Sequence, residues 1–423
     1  MGIDLGIAGF ITTTPGVGGV LKSTPEDFVV EEASSPPPPA EEGRFAIATV
    51  RARNWETNRL VRQFARSLRV SRRRIGFAGT KDKRALSVRM VSFEDVPPDS
   101  LRALRLKDVE VLDVYRAAAP LEIGDLHGNR FRIVVRDLAV PDDRAAEIVD
   151  ETARQVRAHR GFPNFFGVQR FGSIRPITHL VGRHIVRGEF REAVDAYVAN
   201  PIPGEDEASF EVRRDLAETG DVRKALREYP RAYSFEKAIL NHLAVRPDDP
   251  AGALRRLPFN LLMMFVHAYQ SFLFNRIVSE RMRRGLPLDE PVPGDLVLPA
   301  DREGLPDRGR TIEVTCENLE KVVARCREGK AWASGILFGS EPEFASGEPG
   351  QIERDVIGAE GVRPEDFVIP DIPRISSKGT RREILAPVLA LEARVASGAL
   401  HLSVELTRGA YATCLVREFV KSA

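Results

Sequence analysis

The sequence predicts an α+β protein of two domains, and three observations carry that expectation. The chain is 423 residues long, beyond the roughly 250–300 residues at which a single core stops growing. Alternating apolar segments, the signature of strands, gather near both ends, whereas apolar residues at helical spacing dominate the middle. Apolar residues make up 43% and charged residues 29%, as in ordinary globular chains and unlike disordered or membrane-embedded ones.

Residues 18–32 read as a strand holding Val20 to Lys22, a turn at Pro25 and a strand from Phe28 to Val30. The run Ser34-Ser35-Pro36-Pro37-Pro38-Pro39 predicts an extended, unpaired surface loop, because proline lacks an amide donor and fixes its own φ. A strand resumes over Phe45 to Val50. Thr57 is the candidate N-cap of a helix whose Leu60, Val61, Phe64, Ala65 and Leu68 share one face, leaving the rest to Arg59, Arg62, Arg66 and Arg69. Ile75 to Ala78 is a short apolar run and Leu86 to Phe93 an alternating one; the loop between them carries Asp82. Phe131, Ile133 and Val135 alternate with Arg132, Val134 and Arg136 as a strand does, and Asp142 to Arg160 has helical spacing. The glycine- and aromatic-rich passage from Gly161 to Gly172 breaks the pattern and marks a boundary.

Helical spacing then runs from about residue 175 to 285, densest over Leu261 to Arg284. Short strands are expected at Asp295 to Leu298 and Ala333 to Phe338, within a stretch rich in Pro, Gly and acids. Leu402, Val404 and Leu406 alternate before a glycine turn, and Cys414 to Lys421 closes the chain as a helix.

No segment approaches the roughly 18 uninterrupted apolar residues of a membrane span, and the N-terminus carries no basic segment followed by an apolar core. A cytoplasmic, non-membrane protein is the default expectation. Cys316, Cys326 and Cys414 lack metal-type pairing and are odd in number, and the seven histidines include no His-x-x-x-His pair, so neither a disulfide framework nor a metal site is expected. A monomer is the default state. The net charge of +1 is uninformative, but its distribution is not: residues 51–90 hold thirteen Lys or Arg against two acids, Glu56 and Asp82. Such a run is a solvated surface as readily as a nucleic-acid face.

Gly76, Gly79 and Lys81 invite comparison with a phosphate-binding loop. The spacing fails, because Gly-Lys-Ser/Thr is required where this chain has Gly79-Thr80-Lys81-Asp82, and a carboxylate there would repel phosphate. A carboxylate flanked by Lys81, Lys83 and Arg84 sits in a positive field, stays ionised, and can act as a nucleophile beside a polyanion. The plainer reading is a salt-bridged hairpin tip. Phe28, Asn129, Phe131 and Tyr411 form a second set. Singly each suits a core position, but together they supply aromatic faces and an amide, which is what an extruded pyrimidine needs.

Several motifs resemble one family. Pro25-Glu26-Asp27-Phe28-Val29-Val30-Glu31, Gly79-Thr80-Lys81-Asp82-Lys83-Arg84-Ala85, Gly128-Asn129-Arg130-Phe131, Pro163-Asn164-Phe165-Phe166-Gly167-Val168-Gln169-Arg170-Phe171-Gly172 and Gly409-Ala410-Tyr411-Ala412-Thr413 stand in the order of the TruD family of pseudouridine synthases, with Ala268-Tyr269-Gln270-Ser271-Phe272-Leu273-Phe274-Asn275 between the last two. The resemblance implies a catalytic domain with a mixed, largely antiparallel sheet and flanking helices, built from residues 1–162 and 386–423. A large α+β insertion domain over 163–385 would interrupt it. It implies a tRNA pseudouridine synthase that isomerises a uridine, most often uridine 13 of the D arm, without a cofactor. Asp82 would be the nucleophile; Phe28, Asn129, Phe131 and Tyr411 would line the uridine pocket, with Lys22 and Lys81 in the cleft. Ser87, Arg89 and Thr407-Arg408 depart from the family pattern, where Thr, Gln and Pro-Lys are usual, without removing an implied catalytic group. A noncatalytic RNA-binding protein using the same basic face is the competing class, and a nucleotide-binding phosphotransferase a weaker one.

Overall fold

The computed structural model describes residues 2–81, 84–123 and 125–421. Among them fourteen strands form two sheets: β1 (Val20–Leu21), β2 (Phe28–Ser34), β3 (Phe45–Arg53), β4 (Ile75–Phe77), β5 (Leu86–Glu94), β6 (Val109–Ala117), β7 (Leu126–Arg136), β8 (Gly161–Pro163), β9 (Leu296–Pro299), β10 (Ile312–Glu313), β11 (Ala331–Leu337), β12 (Thr380–Glu383), β13 (Leu385–Ala396) and β14 (Ala399–Thr407). Two compact units result, one from Phe10–Phe162 with Ala386–Ala423, the other from Met1–Gly9 with Pro163–Leu385. The sequence of the first unit is therefore interrupted by most of the second. The N-terminal residues, expected with the catalytic segment, group with the interrupting unit instead: Asn275 Nδ2 donates to the Leu5 carbonyl at 2.9 Å and Ser279 Oγ to that of Gly6 at 2.7 Å.

The first unit is built on the larger sheet, ordered β6-β3-β5-β2-β7-β14-β13-β8, with β1 on β7 and β4 on β5. β2 and β5 run parallel, while β3–β5, β2–β7, β7–β14 and β13–β14 are antiparallel. A parallel pair needs a crossover; here β3, the helix Thr57–Leu68 and β4 fill it. That helix packs Leu60, Val61, Phe64 and Ala65 onto Ala46, Ala48, Val50 and Ala52 of β3 and onto Val91 and Phe93 of β5. Full burial of each large apolar side chain there contributes about 1.5–3 kcal/mol.

Two local expectations change. The N-cap is Glu56, not Thr57: its carboxylate accepts the amides of Asn58 at 2.8 Å and Arg59 at 2.9 Å, and its charge opposes the positive end of the helix dipole. Thr57 becomes the first helical residue and keeps its hydroxyl for other partners. The proline run is not unpaired either. Prolines cannot donate but their carbonyls still accept, and Tyr115 donates its hydroxyl to Pro37 O at 3.0 Å while Pro39 bridges to Ala117 of β6.

The second unit surrounds the helix Phe259–Arg283, buried on nearly every side, as expected of a helix apolar all round. Gly182, in the helix Thr178–Val186, lets that helix approach closely, because a Cβ there would stand 2.0 Å from the Phe265 carbonyl oxygen. The smaller sheet runs β10-β9-β11-β12. The aromatic passage after Gly161 is stitched into this unit. Asn275 Oδ1 accepts the Phe166 amide at 2.8 Å, and Asn164 Nδ2 donates to the Glu383 carbonyl at 2.9 Å. No helix among the described residues is long and apolar enough to cross a membrane.

Candidate active site

Pro25, Glu26 and Asp27 make a single 3-10 turn that delivers the chain into β2. Asp27 fixes that turn, accepting the Thr24 amide at 2.9 Å and the Arg136 Nε at 3.0 Å. The Arg136 guanidinium holds the Asp27 carboxyl below the usual carboxylate range, against the opposing effect of burial. Alternate residues of a strand share a face, so Phe28, Val30 and Glu32 point the same way. Register sets Ile133, Phe131 and Asn129 of β7 opposite those three, and Val404 and Leu406 of β14 opposite Phe131 and Asn129. One wall of the sheet thus carries, in order, two aromatic rings, an amide and a carboxylate.

The rings of Phe28 and Phe131 meet edge to face with centroids 5.8 Å apart and planes at 64°. Lys22 takes a left-handed backbone conformation, φ 57°, and its Nζ stands 4.0 Å from the Phe28 ring centroid. Asn129 makes no side-chain hydrogen bond among the described residues although its Oδ1 is buried. Close pairing beside it depends on Gly128, where a Cβ would lie 2.3 Å from the Leu406 carbonyl oxygen. At that end of the wall the Arg408 amide donates to the His127 carbonyl at 2.9 Å. The chain then turns at Gly409, φ 85°, and Tyr411 follows as the residue capping the helix Ala412–Val420.

A charged layer adjoins the amide. Lys81 Nζ lies 2.7 Å from Glu32 Oε1, with side chains 4% and 2% exposed, and the Lys81 amide donates to Thr57 Oγ1 at 2.9 Å. The same hydroxyl accepts Arg89 at 2.6 Å, whose other terminal nitrogen donates to Ser87 Oγ at 2.6 Å. Glu32 Oε2 accepts the Met90 amide at 3.0 Å. Burial brings the Arg89 guanidinium down to about 10 in spite of the Glu32 and Glu56 carboxylates, which act to raise it.

Asp82 and Lys83 lie outside the described residues. The chain on both sides of them is held: Lys81 by Thr57 and Glu32, Arg84 by a 3.2 Å bond from its guanidinium to the Ser23 carbonyl, and Ala85 by the Asn54 amide at 3.0 Å. Lys81 is salt-bridged, as the hairpin-tip reading required, but to Glu32 of a different strand. Lys81 and Arg89 are both buried, the first 2.7 Å from the Glu32 carboxylate and the second under the charges of Glu32 and Glu56. Cations of this kind favour the ionised form of a further carboxylate placed beside them.

The structure therefore gathers Lys22, Phe28, Asn129 and Phe131 on one wall and ties Lys81 to it through Glu32, while Tyr411 caps the last helix four residues beyond Thr407, the partner of Gly128. Glu32, Thr57, Ser87 and Arg89 were missed as members of this layer by sequence reasoning. Glu32 had a usable signal: it continues the two-residue phase of Phe28 and Val30, which puts a carboxylate on the inward face. No group of three His, Cys, Asp or Glu among the described residues is placed to hold a metal ion.

Comparison with known proteins finds matches along nearly the whole chain. The family model described as tRNA pseudouridine synthase D (TruD) matches residues 4–419. A "probable tRNA pseudouridine synthase D" of Methanococcoides burtonii is 40% identical over 100% of this chain and 96% of its own, and one of Thermococcus onnurineus is 36% identical over 97% of both. The crystal structure of a putative tRNA pseudouridine synthase D from Methanosarcina mazei superposes with a TM-score of 0.84 at 41% identity, covering 99% of this chain and 97% of that one. An α+β fold and a family signature that run together from one end of the sequence to the other place this chain in the tRNA pseudouridine synthase D (TruD) family.

Proposed function

We propose that this protein converts a uridine of tRNA to pseudouridine, uridine 13 of the D arm, with Asp82 as nucleophile and without a cofactor. The observation that carries the reading is the placement of two held loop flanks, Lys81 and Arg84, beside a wall of Phe28, Phe131 and Asn129. An ionised Asp82 either attacks C1′ as the uracil leaves with the glycosidic electron pair, or removes a sugar proton to give a glycal. The base then turns and bonds to C1′ through C5, displacing the Asp82 carboxylate in the first route and with the proton returned to the sugar in the second; C5 loses its proton, N1 gains one, and no electrons enter or leave, so the isomerisation balances without redox partner or nucleotide hydrolysis.

Phe28 and Phe131 offer ring faces and edges to the extruded base, Tyr411 a further aromatic, and Asn129 an amide for its hydrogen-bonding edge. Lys22 sits on the Phe28 ring and adds a positive charge to the lining of the cleft. Lys81 and Arg89 keep the neighbouring carboxylate ionised. Extruding the base costs a few kcal/mol, which stacking offsets.

The test uses tRNA carrying 5-tritiated uridine. Asp82→Asn is expected to reduce tritium release to background while tRNA affinity and melting temperature stay at the wild-type level. Wild-type turnover by that variant would overturn the assignment. Mapping pseudouridine in the product tests the position, and modification at another uridine alone would overturn uridine 13.

A further inference from the structure

Between Glu56 and Asp82 the sequence has no carboxylate and seven arginines: 59, 62, 66, 69, 72, 73 and 74. On the helix Thr57–Leu68 and its C-cap residue, Arg59, Arg62, Arg66 and Arg69 fall within an arc of about 80° at 100° per residue. Leu60, Val61, Phe64 and Ala65 are buried on the opposite side. Asn58, Gln63 and Ser67, all uncharged, flank the arc.

Arg59, Arg62, Arg66, Arg69, Arg72 and Arg73 are all exposed, and none makes an ion pair among the described residues. Arginines on other helices of this protein behave differently. Arg144 pairs with Glu147, Arg154 with Glu151, and Arg283 with Glu280, each three residues away. A surface that served solubility alone would mix signs in the same manner. Here the like charges repel at i, i+3 and i+4, a cost to the helix of a few tenths of a kcal/mol per pair, and nothing in the segment relieves it.

The stripe also has a fixed origin. Its helix starts at Thr57, whose hydroxyl holds the Lys81 amide next to Asp82, so the row of guanidinium groups begins at the proposed nucleophile's loop. From Arg59 to Arg69 it extends about 15 Å, at 1.5 Å per residue.

We infer that this arginine stripe is a docking surface for the ribose–phosphate backbone of the RNA on one side of the target uridine. The inference rests on the RNA-modifying reading above. Charge complementarity selects the occupant: a polyanion with regularly spaced single charges matches a row of unpaired guanidinium groups, and the arc holds no apolar side chain of the kind that forms the core of a protein interface. Contacts of this kind carry affinity and orientation without sequence information. Arg59 adds rigidity, its guanidinium lying 5.1 Å from the Trp55 ring centroid.

The experiment compares full-length wild type with the triple variant Arg62→Gln, Arg66→Gln, Arg69→Gln, using an unmodified tRNA transcript. Each lost phosphate contact lowers the slope of log affinity against log salt by roughly 0.7–0.9. The expected drop is therefore about two to three, with KM for tRNA raised about tenfold or more near 150 mM salt, kcat little changed, and the same uridine modified. A triple Lys variant is expected to retain the wild-type salt slope. An unaltered slope and KM in the Gln variant would overturn the inference, as would a loss confined to kcat. If the triple Gln variant fails to fold, Arg66→Gln alone must still lower the slope by about one unit, and no change there overturns it equally. Binding is measured without turnover, so a wild-type protein that makes no pseudouridine defeats the functional reading and leaves this test standing.

Discussion

Two buried arginines, one in each unit, are held in opposite ways. Arg213, in the helical unit, is fully buried and spends its donors on protein acceptors: Glu205 at 2.9 Å, Glu236 at 3.0 Å and the Tyr197 carbonyl at 2.7 Å. Burial presses its pKa down, and Tyr229, Glu236 and Glu205 more than restore it. Arg89, in the larger sheet, is 1% exposed but bonds only to the hydroxyls of Thr57 and Ser87, and its Nε has no partner among the described residues. A buried cation matched by carboxylates is closed to outside chemistry. One hydrogen-bonded to hydroxyls, with Glu32 and Glu56 acting on it through their charge alone, keeps part of its field for an anion nearby, and the Thr57 hydroxyl that accepts it also holds the amide of Lys81, the residue before Asp82.

The first way to break that comparison is to remove each guanidinium. Arg213→Met takes from buried Glu236 its ion-pair partner and leaves Glu205 with Arg175 alone, and should cost about 3–5 kcal/mol, read as a lowered urea midpoint with a normal response to tRNA at low temperature. Arg89→Met removes hydrogen bonds to neutral groups and should cost about 1–3 kcal/mol, while tritium release falls by more than the stability loss explains. If Arg89→Met proved the more destabilising and left turnover intact, the contrast between a closed and an open cation would be wrong.

Thr57 sharpens the same point because one hydroxyl serves both Arg89 and the Lys81 amide. Thr57→Val strands those two donors at a cost of about 1–2 kcal/mol. Losing the tether at Lys81 should lower kcat about tenfold with KM for tRNA nearly constant, since small misplacements of a reacting group are expensive. Thr57→Ser keeps the oxygen and should restore kcat. A serine variant as slow as the valine one would mean that packing by the methyl group, not the hydrogen bonds, matters there.

Much of this arrangement was legible in the residues. Strand alternation put Phe131, Ile133 and Val135 on one face, and the structure keeps them there. The break at Gly161 falls beside the point where the chain leaves one unit for the other. Other features were hidden for identifiable reasons. Thr57 looked like a cap because capping propensity is local, whereas its hydroxyl is claimed by residues 24 and 32 positions later. Glu32 pairs with Lys81 across a crossover of nearly fifty residues, and no spacing rule reaches that far. The N-terminal residues gave no sign that they would pack on the helix Phe259–Arg283, because a single backbone carbonyl can be captured by any distant amide.

The smallest stability effect belongs to Asn129, which bears most directly on the open wall. Its carbonyl oxygen is buried without a partner among the described residues, so the folded protein already bears the cost of desolvating it. Replacing such a group by an apolar one of similar shape is nearly neutral or stabilising; Asn129→Leu should therefore change stability by no more than about 1 kcal/mol. If the amide receives the uracil edge, kcat/KM should nonetheless fall about 10–100-fold, the effect of losing a hydrogen bond worth roughly 1–3 kcal/mol. A loss above 2 kcal/mol on the denaturation curve with unchanged tritium release would assign Asn129 to the architecture of β7 and remove it from the site. The expected pairing, unaffected stability with impaired turnover, would separate it from a structural asparagine such as Asn275, whose amide is spent on Leu5 and Phe166.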